Sequence, residues 1–71
     1  MSVDQRIAEY GQAAGRWAIA AHLLEKFEAA KDIEFVQEAV PNLKEREAKA
    51  RVRLDAAHTA LVVCIDDVRD A

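Results

Sequence analysis

Apolar residues recur along this chain at helical spacing. Ser2, with Gln5 three residues later, reads as a capping box that opens a first helix. Tyr10, Ala14, Trp17, Ala21 and Leu24 follow, with Ala13, Ala20 and Phe27 beside them. At about 100° per residue these fall on one face. The stripe loses phase at Glu28 and Lys31, and a new apolar set, Ile33, Val36 and Val40, points roughly a third of a turn away. Either the first helix bends there or Asp32 caps a short separate helix through Val40; a long first helix with irregular or kinked last two turns is preferred. Pro41 marks the expected turn, because the residue before a proline avoids helical dihedrals. Asn42 with Glu45 then reads as a second capping box, opening a helix that meets no Gly or Pro up to about Arg69. Its roughly 27 residues span about 40 Å. A short connection between two long helices predicts an antiparallel hairpin.

The second helix has two apolar faces. Ala50, Leu54, Ala57, Leu61, Cys64, Ile65 and Val68 alternate small and large, as the first stripe does, and are expected to form the hairpin seam. Val52, Ala56, Thr59, Ala60 and Val63 form another face, and the run from Ala60 to Ile65 is apolar nearly all round. One partner helix cannot cover a cylinder on every side. The expectation is therefore an all-α, single-domain chain, residues 1–71, whose hairpins assemble into a helical-bundle homo-oligomer. Laid antiparallel on its own copy about Thr59, the second helix brings Val52 near Val63 and Cys64, Ala56 near Ala60, and Lys49 near Asp67. A two-fold contact requires such self-complementarity.

Composition agrees. Seventy-one residues allow one small core, and scaffolds of this size usually add disulfides, metal or oligomerisation. A single cysteine, Cys64, excludes an internal disulfide and fits a reducing compartment. The chain is 52% hydrophobic and 32% charged, a long-helix composition. Its net charge of −3 argues against a general nucleic-acid coat protein. No apolar run approaches the ~18 residues of a membrane span, and the N-terminal segment lacks a signal-peptide pattern, so the cytoplasm is the expected location.

Candidate chemistry is sparse. Lys44, Arg46, Lys49, Arg51 and Arg53 crowd the start of the expected second helix, where cations oppose the helix dipole. They are explained either by pairing across the hairpin (Arg53 with Glu28, Lys49 with Asp32 or a partner's Asp67) or by an anion site. Gly11 and Gly15 form a G-x-x-x-G pattern in the first helix at about 1 kcal/mol each relative to alanine, which close approach of another helix would repay. Tyr10, Arg16 and Trp17 could stack a base and bind a phosphate, or be a core aromatic pair beside a surface arginine. His22 and His58 are expected at a similar level of the hairpin, yet with directions that disagree for a metal site. No catalytic set, metal site or cofactor site is expected, and the chain is read as a non-enzyme.

The stretch Glu45 to Arg69 resembles the second helix of a family of small phage-encoded helical proteins. Their closing helix has the form A-x-x-x-L-E-x-A-x-x-A-x-x-A-I after a proline-containing turn; Ala50, Leu54, Asp55, Ala57 and Ala60 occupy the corresponding places, and Ile65 stands one residue past the closing Ile. The family includes anti-CBASS sponges, helical oligomers that sequester cyclic oligonucleotides. The resemblance implies a nucleotide-holding arginine at Arg51, within Ala50-Arg51-Val52-Arg53-Leu54, with Tyr10 and Lys26 as possible counterparts of contributing residues. The expected ligand-binding set is thus Arg51, Arg53, Arg46, Tyr10, Lys26, Arg16 and Trp17. The expected interface set is Val52, Ala56, Thr59, Ala60, Val63, Lys49, Asp67, Gly11 and Gly15. The expected function is capture of an anionic nucleotide signal to evade host defence. The alternatives are a small inhibitor or adaptor binding a host protein through a helical face, and a nucleic-acid-binding four-helix bundle.

Overall fold

A computed structural model describes residues 2–70, with side chains through Arg69. The chain is two helices, α1 (Val3–Ala29) and α2 (Glu34–Asp70), packed antiparallel in a hairpin 57 × 15 × 14 Å. The start of α1 is the one expected. Ser2 is extended, with φ −77° and ψ 156°, and its Oγ accepts the backbone N–H of Gln5 at 3.2 Å. Asp4 in the first turn complements the positive end of the helix.

The turn lies at Ala30–Ile33 and not at Pro41, which stands inside α2. The loss of phase at Glu28 and Lys31 marks the end of α1, not a bend within it. Neither expected form of residues 28–40 is right: there is no kinked extension and no separate short helix, because the chain from Glu34 continues unbroken into the second helix. Asn42 accordingly lies within α2 and caps nothing.

Two features hold the observed turn. The Ala30 N–H donates to Phe27 O at 3.2 Å, and the Ile33 N–H donates to Ala30 O at 3.2 Å. The Gln37 side chain then reaches back and donates to the carbonyls of Phe27 and Ala30, at 2.8 Å each. Each of these carbonyls thus accepts twice, from a turn N–H and from the Gln37 amide, at a helix end where carbonyls lack intrahelical partners.

Packing outweighs the proline. Interior proline costs a helix about 3 kcal/mol through its missing N–H and ring clash. Val40 and Leu43, on either side of Pro41, are each only 9% exposed, and they form most of the core. Burying each contributes about 1.5–3 kcal/mol, so together they match or exceed the penalty. The covered row is unbroken through the proline: Val36, Val40, Leu43, Glu47, Ala50, Leu54, Ala57, Leu61 and Cys64, spaced alternately by four and three. On α1 the matching row is Tyr10, Ala13, Trp17, Ala20, Leu24 and Phe27, with Ala14 and Ala21 beside it. A 3.5-residue repeat on both helices is the pattern of a left-handed coiled coil.

Moving the turn moves the register. Trp17 stands across from Glu47 and Tyr10 across from His58. Arg53 therefore faces Gln12 and Ala13, far from Glu28, and the expected pairs Arg53–Glu28 and Lys49–Asp32 do not form. His22 and His58 are separated along the hairpin for the same reason. At the open end α2, with 37 residues against 27, outruns α1. Cys64 shares a hollow with Arg6 near the start of α1, so Ile65 and Val68, expected in the seam, are 40% and 62% exposed.

Candidate functional site

Along one side of the hairpin the helices leave an open groove of about 360 Å³. From α1 it is lined by Glu9, Gln12, Ala13, Arg16 and Ala20, and from α2 by Arg46, Lys49, Ala50 and Arg53. Each set recurs at three- and four-residue steps, so each occupies one helix face. Ala13, Ala20 and Ala50 belong to the covered rows. Being small, they leave a shallow floor where larger residues would fill the space. The antiparallel register brings the cations of both helices over that floor. A second hollow of about 180 Å³ continues from it, sharing Arg16, Ala20 and Arg46 and adding Ile19, Leu23 and Leu43.

The lining holds four cations and one carboxylate, on a chain whose net charge is −3. Glu9 is already engaged by Arg6 at 3.1 Å. Lys49 pairs with Glu45 one turn away at 2.9 Å, and that contact holds the Glu45 carboxyl below the usual carboxylate range. Both ends of the pair stay well exposed. Among the described residues, Arg16, Arg46 and Arg53 take part in no ion pair within 4 Å. Every ion pair found links residues of one helix, so pairing across the hairpin does not account for the basic cluster.

The expected ligand set divides between the two sides of the hairpin. Arg16, Arg46 and Arg53 line the groove. Arg51 does not: at 100° per residue it projects roughly 140° to 160° away from Arg46 and Arg53. It borders the opposite hollow with Ala21, Leu24, Glu25, Glu28 and Glu47. There it grips Glu47, with Nη2 at 2.6 Å from Oε2 and Nε at 3.1 Å from Oε1. Trp17 turns to the same carboxylate, its indole N–H donating to Oε1 at 3.0 Å. Tyr10 packs its ring on His58, with centroids 5.8 Å apart and planes tilted by 50°. Lys26 is exposed in the last turn of α1, remote from the groove lining.

Glu47 is the residue that sequence reasoning missed. It takes a core position in the covered row of α2 and is 8% exposed. The hydrogen bonds from Arg51, and after them from Trp17, hold its carboxyl below the usual range against the desolvation that burial brings. The same contact raises Arg51. A buried charge is tolerated when it is paired and hydrogen-bonded in this way. The signal was available: Glu47 lies at the three–four spacing from Leu43 and Ala50, with Arg51 one turn on.

No protein-family model, no curated protein and no solved structure matches the chain. Among the described residues no group of His, Cys, Asp and Glu is placed to hold a metal ion, and no helix is long and apolar enough to cross a membrane. Gly11 and Gly15 are exposed, and a Cβ at either would meet nothing within 4 Å. The hairpin itself therefore gives no packing reason for those glycines. Val52 and Val63 are 68% and 53% exposed, and Ala56 and Thr59 lie open beside them; Ala60, half-buried, borders a hollow with Arg6 of α1, so α1 leaves most of this face uncovered.

Proposed function

We propose that this protein is a non-enzymatic binding protein that captures a small polyanion of the nucleotide class in its basic groove and withholds it from a receptor. The observation that carries the reading is the convergence of Arg16, Arg46 and Arg53, all without ion-pair partners, with Lys49 over an alanine floor. Guanidinium groups are suited to this task, because their planar forks match phosphate oxygens two at a time. The apolar continuation over Ile19, Leu23 and Leu43 offers a surface for a base or sugar beside the charged part. A volume of about 360 Å³ is at the small end of ligand sites, which run to roughly 1,000 Å³. The fit is to one or two nucleotide units in each groove.

The resemblance to phage cyclic-oligonucleotide sponges supports the same ligand class, and an anti-defence role within a host cell follows from it. The residues that would do the work differ from those the resemblance implies. Arg16, Arg46 and Arg53 replace Arg51 and Tyr10, whose side chains are engaged elsewhere. The test is a thermal-shift screen with cyclic di- and trinucleotides, with inorganic pyrophosphate as a charge control. A ligand that binds only the folded state raises the melting temperature, by about 2.7 kcal/mol of stabilisation at a hundredfold excess over Kd. A shift with a cyclic nucleotide, absent in the double variant Arg46→Glu/Arg53→Glu, is expected. No shift with any nucleotide would sink the reading. A host protein retained on the immobilised chain in that case would favour the helical-face inhibitor, for which the exposed Ile19 and Phe35 are the natural contacts.

A further inference from the structure

We infer that the uncovered face of α2 is occupied by a second copy of the same chain, laid antiparallel across a two-fold axis beside His58 and Thr59. Three observations converge on that occupant. The first is area. The hairpin exposes 5404 Å², whereas a compact monomer of this mass exposes roughly 4,400 Å². The excess, on the order of 1,000 Å², is close to the ~800 Å² that each partner buries in a standard interface.

The second observation is shape. Lys49, Val52, Ala56, Ala60, Val63 and Asp67 recur every three or four residues and so share one side of α2. Small residues, Ala56 and Ala60, stand at its middle, where two crossing backbones come closest. Flanking them are two shallow hollows. One is lined by Ala48, Lys49, Val52 and Arg53, and the other by Arg6, Ala60, Val63, Cys64 and Asp67. The two-fold operation lays each hollow of one copy over the other kind on its partner, and Val52 and Val63 are the exposed knobs available to fill them.

The third observation is charge. The same operation brings Lys49 to the partner's Asp67, and does so twice. Lys49 is held in the single chain only by the exposed pair with Glu45, and Asp67 has no ion-pair partner among the described residues. An unrelated protein would have no reason to carry the complement of this pattern, whereas a second copy carries it by symmetry.

The proposed contact shares Lys49 and Arg53 with the anion groove, so the assembly is weighed without ligand, where its failure and that of the anion reading are seen separately. Light scattering on the eluting wild-type protein at micromolar concentration is expected to give at least twice the 7.9 kDa chain mass. Ala60→Arg puts two cations at the centre of the contact and is expected to return the single-chain mass, with helical content by circular dichroism unchanged. Lys49→Asp and Asp67→Lys each place like charges across the axis twice and are expected to weaken association roughly tenfold or more. The double exchange Lys49→Asp/Asp67→Lys restores opposite charges and is expected to recover most of that loss. A wild-type mass of one chain overturns the proposal. So does an assembly unmoved by Ala60→Arg, or a double exchange no better than its singles.

Discussion

Replacing Pro41 by alanine is predicted to stabilise the protein. The residue lies in the interior of α2, seven positions after the helix begins at Glu34, and is exposed to solvent. Alanine there supplies an N–H for the carbonyl of Gln37, one turn earlier, and removes the ring clash with that turn. The gain from these two terms is about 3 kcal/mol. Against it stands the greater freedom of the unfolded chain without proline, about 0.4–1 kcal/mol. The balance is roughly 2 kcal/mol. In a domain of this size that raises the melting temperature by about 8–16 °C. Proline at the hairpin turn would give the opposite sign, since losing a fitted turn proline destabilises. Urea and thermal unfolding of the two proteins at matched concentration settles the matter, matching being needed because assembly shifts apparent stability. A Pro41→Ala protein no more stable than wild type would refute a continuous α2 and the register built on it.

Leu43→Ala removes one of the two apolar side chains buried among the described residues and is expected to cost about 2–4 kcal/mol in denaturant unfolding, more than a truncation of exposed Val52 in the isolated hairpin. Glu47 predicts a pH dependence. Its folded pKa is depressed by Arg51 and Trp17, so its contribution is present above the unfolded value, near 4.3, and is lost as pH falls through the lower folded value. Glu47→Gln is expected to flatten the acid limb of a stability–pH curve, and an unchanged limb would contradict the assignment. Glu9→Gln removes the one carboxylate lining the groove and is expected to tighten anion binding several-fold at low salt, with a smaller gain at high salt, read by calorimetric titration.

Helical class, the Ser2 cap and the half-buried row of α1 were all legible in the chain, because each rests on spacing or on a local hydrogen bond. The turn was misplaced because two local signals, Pro41 and the Asn42–Glu45 pair, were given more weight than a long-range one. The phase of Val36 and Val40 continues through Leu43, Glu47 and Ala50, and that continuity is what packing against α1 rewards. A proline preference of a few kcal/mol yields to two buried side chains. Once the turn was misplaced, the cross-hairpin pairs were necessarily misplaced too. The groove suffered for this reason: Arg16, Arg46 and Arg53 were recognisable as candidates, but the register alone decides that they meet. Arg51 was separated from them by helical geometry that the sequence does contain. Its capture by Glu47 was harder to see, since a carboxylate in a covered row reads as an interruption until its partners Trp17 and Arg51 are placed around it.

The central claim is that the groove side of the hairpin holds a nucleotide-class anion. Calorimetric titration of the cyclic nucleotide that gives the largest thermal shift tests it most directly, on wild type, Arg46→Glu/Arg53→Glu and Lys26→Glu, at low and at physiological salt. Binding that the groove variant loses by about a hundredfold or more, two charge-assisted contacts being worth about 1.5–3 kcal/mol each, is the predicted result, with Lys26→Glu close to wild type. Equal affinity in wild type and the groove variant, or a loss confined to Lys26→Glu, would contradict it.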